Sequence, residues 1–123
     1  MKKRIRSFSY AIQGISEAIA SEPNLRIHLY ISVLVIAAGF LFRISAIEWI
    51  ACFICIGMVV GAELINSSIE KVVDLASPHL NSTAGKAKDM AAGAVLICAI
   101  CSVVVGAIIF LPKIIDAVVP LLK

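Results

Sequence analysis

Apolar residues in this chain follow two patterns, and each predicts a different kind of helix. From Ile5 to about Ala20 they recur every three or four positions, as Ile5, Phe8, Ile12, Ile15 and Ile19, while Lys3, Arg6, Gln13 and Glu17 fall elsewhere. That spacing gives a helix with one apolar and one polar side, suited to lying in a membrane surface over residues 1–22. Ser21-Glu22-Pro23-Asn24 interrupts it, because proline is accepted in the first turn of a new helix and not in the interior of an old one. Beyond the break, apolar residues run on almost continuously in three stretches, at 25–42, 44–74 and 89–111, the second turning polar after about Ile69. A helix needs roughly 20 mostly apolar residues to cross the hydrocarbon core, so each stretch reads as a membrane span. Arg43-Ile44-Ser45 leaves only a tight turn between the first two spans, which makes them antiparallel neighbours. The segment 76–86, with Pro78, Asn81, Ser82, Thr83 and Gly85, reads as the one substantial loop. The third span is expected to follow Asp89 and to end at Pro112.

Composition agrees with an all-α membrane protein. The 123 residues are 61% hydrophobic and 15% charged, with a mean hydropathy of +1.03, and the whole of 1–123 reads as one membrane-embedded domain with no room for a separate soluble one. The opening Lys2-Lys3-Arg4-Ile5-Arg6 leads into a mixed stretch rather than a short apolar core and cleavage site, so the N-terminus is expected to be retained. Lys2, Lys3, Arg4, Arg6, Arg26, Lys71, Lys86 and Lys88 fall on one side of this layout, and Arg43, Lys113 and Lys123 on the other. The positive-inside rule then puts the N-terminus and the large loop in the cytoplasm of a multi-pass inner (plasma) membrane protein. A net charge of +3, held mostly beside span ends, suits topology and lipid headgroups and not nucleic acid.

Cys52-x-x-Cys55 and Cys98-x-x-Cys101 would suggest zinc in a soluble protein. Here Phe53, Ile54, Ala99 and Ile100 offer no polar support to a thiolate, and the cysteines are expected to pack as small hydrophobes. Gly57-x-x-x-Gly61 would let another helix approach the second span closely.

The second span ends with Glu63, Asn66, Glu70 and Asp74, where a simple anchor would continue with Leu and Val. At about 100° per residue the four fall within roughly one third of the helix circumference, on a stripe about 16 Å long. Ionisable groups at membrane depth cost a few kcal/mol and generally face protein or a water-filled path, so the stripe asks for a function. Its plainer alternative is a solvated helix end, with Asn66 and Ser67 as hydrogen-bonding glue between helices. Glu22, at the start of the first span, lies level with Glu70, and two carboxylates meeting there suit Mg²⁺, which takes oxygen ligands and completes its shell with phosphate. Glu22 is otherwise a charge beside a helix N-terminus. Gly85-Lys86-Ala87-Lys88-Asp89, expected to open the third span, puts lysine near free backbone N–H groups, a place for phosphate; alternatively Lys88 snorkels and Asp89 caps. The phosphate loop of nucleotide-binding proteins and the motifs of soluble protein kinases are missing.

Together, Glu63-Leu64-Ile65-Asn66-Ser67-Ser68-Ile69-Glu70-Lys71-Val72-Val73-Asp74 and Lys86-Ala87-Lys88-Asp89-Met90-Ala91-Ala92-Gly93-Ala94 resemble the bacterial integral membrane diacylglycerol kinase family, which includes undecaprenol kinases. The likeness in layout runs from about Arg6 to Lys113, with Ile47-Glu48-Trp49 and Phe110-Leu111-Pro112-Lys113 closer to the undecaprenol branch. The resemblance implies a homotrimer with shared active sites that phosphorylates a membrane lipid alcohol, diacylglycerol or undecaprenol, from ATP with Mg²⁺. It implies Glu63 as catalytic base in contact with the lipid, Glu22 and Glu70 as metal ligands, and Asn66 as an active-site amide. Lys88 and Asp89 then belong to the nucleotide site, and Tyr10 lies near the adenine. Gln13, His28 and the surroundings of Trp49 depart from the best-known diacylglycerol kinases, so the lipid-contacting surface does not transfer. The rival function is a small multispan transporter using intramembrane carboxylates, and a noncatalytic interaction subunit is a third; the clustering of the acids toward one side disfavours the first, and the second leaves Glu22, Glu63 and Lys88 unexplained.

Overall fold

A computed structural model describes residues 2–122, with side chains over 6–120. The side chains of Lys2, Lys3, Arg4 and Ile5, and all of Lys123, on which the sequence reading draws, lie outside the described residues. Helix α1 covers Lys2–Ser21, α2 Pro23–Leu41, α3 Ala46–Ala76 and α4 Ser82–Val118, followed by a 3₁₀ turn at Val119–Leu122. Helices α2, α3 and α4 are each long and apolar enough to cross a membrane. Phe8, Ile12, Ile15 and Ile19 stand exposed along α1, as an interfacial helix requires.

Local chemistry sets the helix ends. Pro23 occupies the first turn of α2, after an extended Glu22. At the other end Arg43 takes a left-handed φ of 48°, the Ile44 N–H donates to Gly39 O at 3.1 Å and the Arg43 N–H to Phe40 O at 3.3 Å. This pair of bonds closes the helix in a Schellman motif, with arginine where glycine is usual. Two residues later α3 begins in a capping box: the Ser45 N–H donates to Glu48 Oε2 at 2.7 Å, and the Glu48 N–H to Ser45 Oγ at 3.3 Å.

Two sequence expectations about α4 need correction. Its start is not at Asp89 but at Ser82, because Asn81 Oδ1 accepts from the N–H groups of Thr83 at 2.9 Å and Ala84 at 3.1 Å, capping the helix about two turns earlier. Pro112 does not end it either; the helix continues to Val118. Proline's fixed φ is itself helical, and neighbouring contacts compensate for its missing N–H in membrane helices.

Helix α3 is central, packing along α4 and, over a shorter length, against α2. Each span contributes one seam at intervals of three and four residues: Leu25, His28, Ser32, Val35 and Gly39 on α2, and Ala91, Val95, Cys98, Ser102, Val105 and Ile109 on α4. The seam of α3 runs Glu48, Cys52, Cys55, Val59, Glu63, Asn66 and Glu70, all buried or half-buried. At the end near Trp49, Ile44, Cys52 and Ile109 form an apolar core with Val35, Phe42, Trp49 and Phe110 around it. Gly39 lets the indole in, since a Cβ there would stand 2.6 and 2.9 Å from two ring carbons of Trp49. Lys113 reaches back to donate to Glu48 Oε1 at 2.6 Å and fastens α4 to the start of α3.

Candidate active site

The chemistry lies where the α3 seam changes character. Toward the start of α3 it carries Cys52, Cys55 and Val59; one turn further on, the same buried line is taken up by Glu63, 3% exposed, and Asn66, 6% exposed, with Ser67 beside them at 4%. These are the buried polar residues among those described, and they sit on the face that elsewhere packs helix on helix. Burying a carboxylate and an amide costs several kcal/mol unless partners are supplied. The Asn66 amide donates to Glu70 Oε1 at 3.2 Å, while Asn66 Oδ1 is buried without a hydrogen-bond partner among the described residues. An orphaned carbonyl oxygen beside two carboxylates is a hard-donor environment open to a cation or a hydroxyl.

Glu22 arrives from the junction of α1 and α2. Both it and Glu70 act electrostatically on Glu63, so three carboxylates from two parts of the chain share one neighbourhood. The Lys71 ammonium, 3.0 Å from Glu22 Oε1, partners this acid, and the Ser21 hydroxyl donates to the same oxygen at 3.1 Å. These two bonds, Lys71 first, hold the Glu22 carboxyl below the usual carboxylate range, against an opposing effect of burial. Among the described residues no three His, Cys, Asp or Glu side chains stand close enough together to hold a metal by themselves. Two carboxylates and an amide oxygen fit Mg²⁺, which commonly uses one or two protein carboxylates and takes the rest of its shell from water and phosphate.

Lys88 is placed by α4 opposite the end of the α3 stripe, its ammonium 2.9 Å from Asp74 Oδ1. The early start of α4 corrects the expected phosphate site: Lys88 lies within the helix, and the free N–H groups belong to the turn at Asn81. Lys88 therefore offers its ammonium and not a helix terminus. Asp89 is exposed on α4, and Tyr10 is exposed on α1 with no ring contact among the described residues. The fold of this chain thus gathers Glu22, Glu63, Asn66 and Glu70, sets Lys88 at the edge through Asp74, and leaves Tyr10 and Asp89 facing outward.

Sequence reasoning missed Lys71 as the partner of Glu22, counting it only as a topology charge. It also missed the joining of Glu48 to Lys113, although both belonged to segments it singled out. Nothing along the chain pairs residues separated by whole helices. Gly57 and Gly61 meet nothing within 4 Å at their would-be Cβ positions, so the close approach they permit is not made within the described chain.

Residues 9–110 match the family described as prokaryotic diacylglycerol kinase. The chain is 40% identical over 113 residues to the undecaprenol kinase of Bacillus subtilis, an alignment covering 92% of each protein. It is also 40% identical over 114 residues to a diacylglycerol kinase of Synechocystis, covering 92% of this chain and 65% of that one. The diacylglycerol kinase of Haemophilus influenzae is 32% identical over 108 residues, 86% of this chain and 91% of the relative. The matched region contains the three spans almost entirely and every acid of the buried stripe, and the chain belongs to the prokaryotic diacylglycerol kinase family.

Proposed function

We propose that this lipid kinase transfers the terminal phosphoryl group of ATP to the hydroxyl of a membrane lipid alcohol, undecaprenol or diacylglycerol, at the cytoplasmic face of the inner membrane. The observation that carries the reading is the burial of Glu63 and Asn66 on the packing seam of α3, directly after the apolar run Cys52, Cys55 and Val59. The relatives named as undecaprenol kinase and diacylglycerol kinase supply the two acceptor classes.

In this reading the acceptor oxygen forms a bond to the γ-phosphorus as the bond from that phosphorus to the β–γ bridging oxygen breaks. ADP leaves, and the hydroxyl proton passes to Glu63. Glu22 and Glu70 hold Mg²⁺, which when bound neutralises charge on the phosphate oxygens. Asn66 orients Glu70 through its amide and keeps its carbonyl oxygen for the cation or the acceptor. Lys88 supplies a positive charge to the triphosphate, and Asp74 sets its position. Tyr10 and Asp89 take part in nucleotide binding from the exposed faces of α1 and α4, which favours a homotrimer in which a neighbouring subunit completes each site. The open side of α3 at Gly57 and Gly61 supports the same assembly. Transport fits less well, because next to Glu63 the α3 seam continues in Val59, Cys55 and Cys52, and the following carboxylate, Glu48, is about four turns away and bonded to Lys113.

Labelled ATP offered with Mg²⁺ and either undecaprenol or diacylglycerol tests the proposal. The label is expected in the lipid, with ADP formed in equal amount and the reaction stopped by a chelator. Failure to label any lipid alcohol, in a preparation that still binds nucleotide, overturns it.

A further inference from the structure

The two acids assigned to the cation each carry a donor from this chain, and the donors differ in kind. Glu70 Oε1 accepts from the Asn66 amide at 3.2 Å, a neutral group of the same stripe. Glu22 Oε1 takes a full positive charge, the Lys71 ammonium at 3.0 Å, together with the Ser21 hydroxyl at 3.1 Å. The transfer of the phosphoryl group asks nothing of Lys71.

The backbone leaves Glu22 free for this pair. It is the extended N-cap residue of α2, yet its side chain makes no capping hydrogen bond, and Pro23 after it has no N–H to offer. Ala18, 7% exposed, packs the last turn of α1 into the bundle, and Lys71 reaches Glu22 from α3, which α1 touches. The two partners are unequal. The Glu22 side chain is 20% exposed and that of Lys71 61%, so the carboxylate is the fixed member and the ammonium, on its flexible stem, the mobile one. An ion pair as open as this is weak and exchanges readily.

A Mg²⁺ ion ligated by Glu22 stands about 2 Å from a carboxylate oxygen, within a few ångströms of the atom that Lys71 bonds. At that range a divalent ion repels an ammonium twice as strongly as a monovalent ion does. The metal and Lys71 therefore exclude each other from Glu22, and the ammonium has solvent to move into. We propose that Lys71 is a stand-in cation, pairing with Glu22 in the absence of metal and leaving it when Mg²⁺ binds, so that Lys71 sets the metal concentration the site requires. This rests on the reading of Glu22 as a metal ligand and adds the residue that competes for it; Lys71 acts through Glu22 and is a positioning residue.

Binding of Mn²⁺, which takes the same oxygen ligands as Mg²⁺, tests the exchange without turnover. Its affinity is read by electron paramagnetic resonance, without nucleotide, on purified full-length wild type, Lys71→Met, Lys71→Arg, Glu22→Gln and the double variant Glu22→Gln/Lys71→Met. Lys71→Met, which keeps the stem and loses the charge, is expected to bind Mn²⁺ about threefold more tightly or better, and Lys71→Arg to stay within about twofold of wild type. In the Glu22→Gln background Lys71→Met should change the affinity by less than about twofold, because the carboxylate that couples lysine to metal is gone. Unchanged or weaker binding in Lys71→Met overturns the proposal, as does an equal gain in both backgrounds, which makes Lys71 a distant charge only. A second test needs no variant: labelling of lysine amines with acetic anhydride, read by mass spectrometry, should find Lys71 more reactive with Mg²⁺ than without it, while the exposed Lys86 does not change. Equal reactivity of Lys71 in the two conditions overturns the exchange. A wild type that binds no Mn²⁺, or an affinity that survives Glu22→Gln, overturns the ligand reading and this inference with it, whereas binding that needs Glu22 and ignores Lys71 overturns this inference alone.

Discussion

At the scale of single residues, burial assigns different work to acids of similar chemistry. Glu63 is enclosed, whereas Glu22 is open enough to hold Lys71 in an ion pair. Glu63 also lies two turns, about 10 Å, from Glu70 along α3, too far for one carboxylate to replace the other. Glu63→Gln is therefore expected to lower kcat by at least a hundredfold, as loss of a general base does, with MgATP affinity within about twofold of wild type. Near-normal turnover in the folded variant would remove the base assignment. Glu22→Gln and Glu70→Gln should do the reverse in a direct binding measurement and weaken MgATP; unchanged affinity in both would dismiss them as ligands. Glu22 also makes a pH prediction. Its carboxyl is held below the ordinary value of 4.5 chiefly by Lys71, so folding favours the ionised form. The stability from this pair is fully present above that ordinary value and is lost as pH falls through the lower folded value. Acid unfolding of wild type and Glu22→Gln should thus converge at the acid end and differ above it, by a small amount because Lys71 is largely exposed.

At the scale of elements, the end of the bundle far from the acids is built to hold α2, α3 and α4 in register. Phe40 and Trp49 meet with ring centroids 5.0 Å apart, Trp49 and Phe53 stack at 5.6 Å, and Phe42 and Phe110 approach to 6.3 Å. The indole fits because residue 39 is glycine. Gly39→Ala should cost about 1–3 kcal/mol by forcing Trp49 aside, read as a lower unfolding temperature in detergent. Pairing it with Trp49→Phe, which withdraws the clashing ring atoms, should restore part of the loss; an alanine variant as stable as wild type would contradict the packing. Helix α3 links this clasp to the chemistry, since one buried seam carries both Cys52 and Glu63.

At the scale of the whole molecule, a continuous set of seams serves two purposes, and among the described residues the fully buried polar side chains lie in one half of α3. The cysteines belong to the packing half: Cys52 is buried, Cys55 and Cys98 half-buried and Cys101 exposed, all as free thiols. Replacing all four by Ala or Ser should leave phosphorylation of the lipid within a few-fold of wild type, with a modest fall in thermal stability from lost packing. Stoichiometric zinc that disappears together with activity in that variant would reverse this expectation.

The kinds of helix and the membrane setting were legible in the chain itself, because hydrophobic periodicity and span length are local properties. The stripe Glu63, Asn66, Glu70 was legible for the same reason: residues on one helix keep a fixed angular relation whatever surrounds them. The cap at Asn81 was misplaced because an asparagine in a polar segment fits a loop as well as a helix start, and only its bonds to Thr83 and Ala84 distinguish them. Pro112 was misread because neighbouring contacts, which a sequence does not display, decide whether a proline ends a membrane helix. Tertiary structure alone joined Lys71 to Glu22, Asp74 to Lys88 and Glu48 to Lys113. These joins lay outside what the chain shows by itself, since contacts between helices depend on their relative rotation and depth.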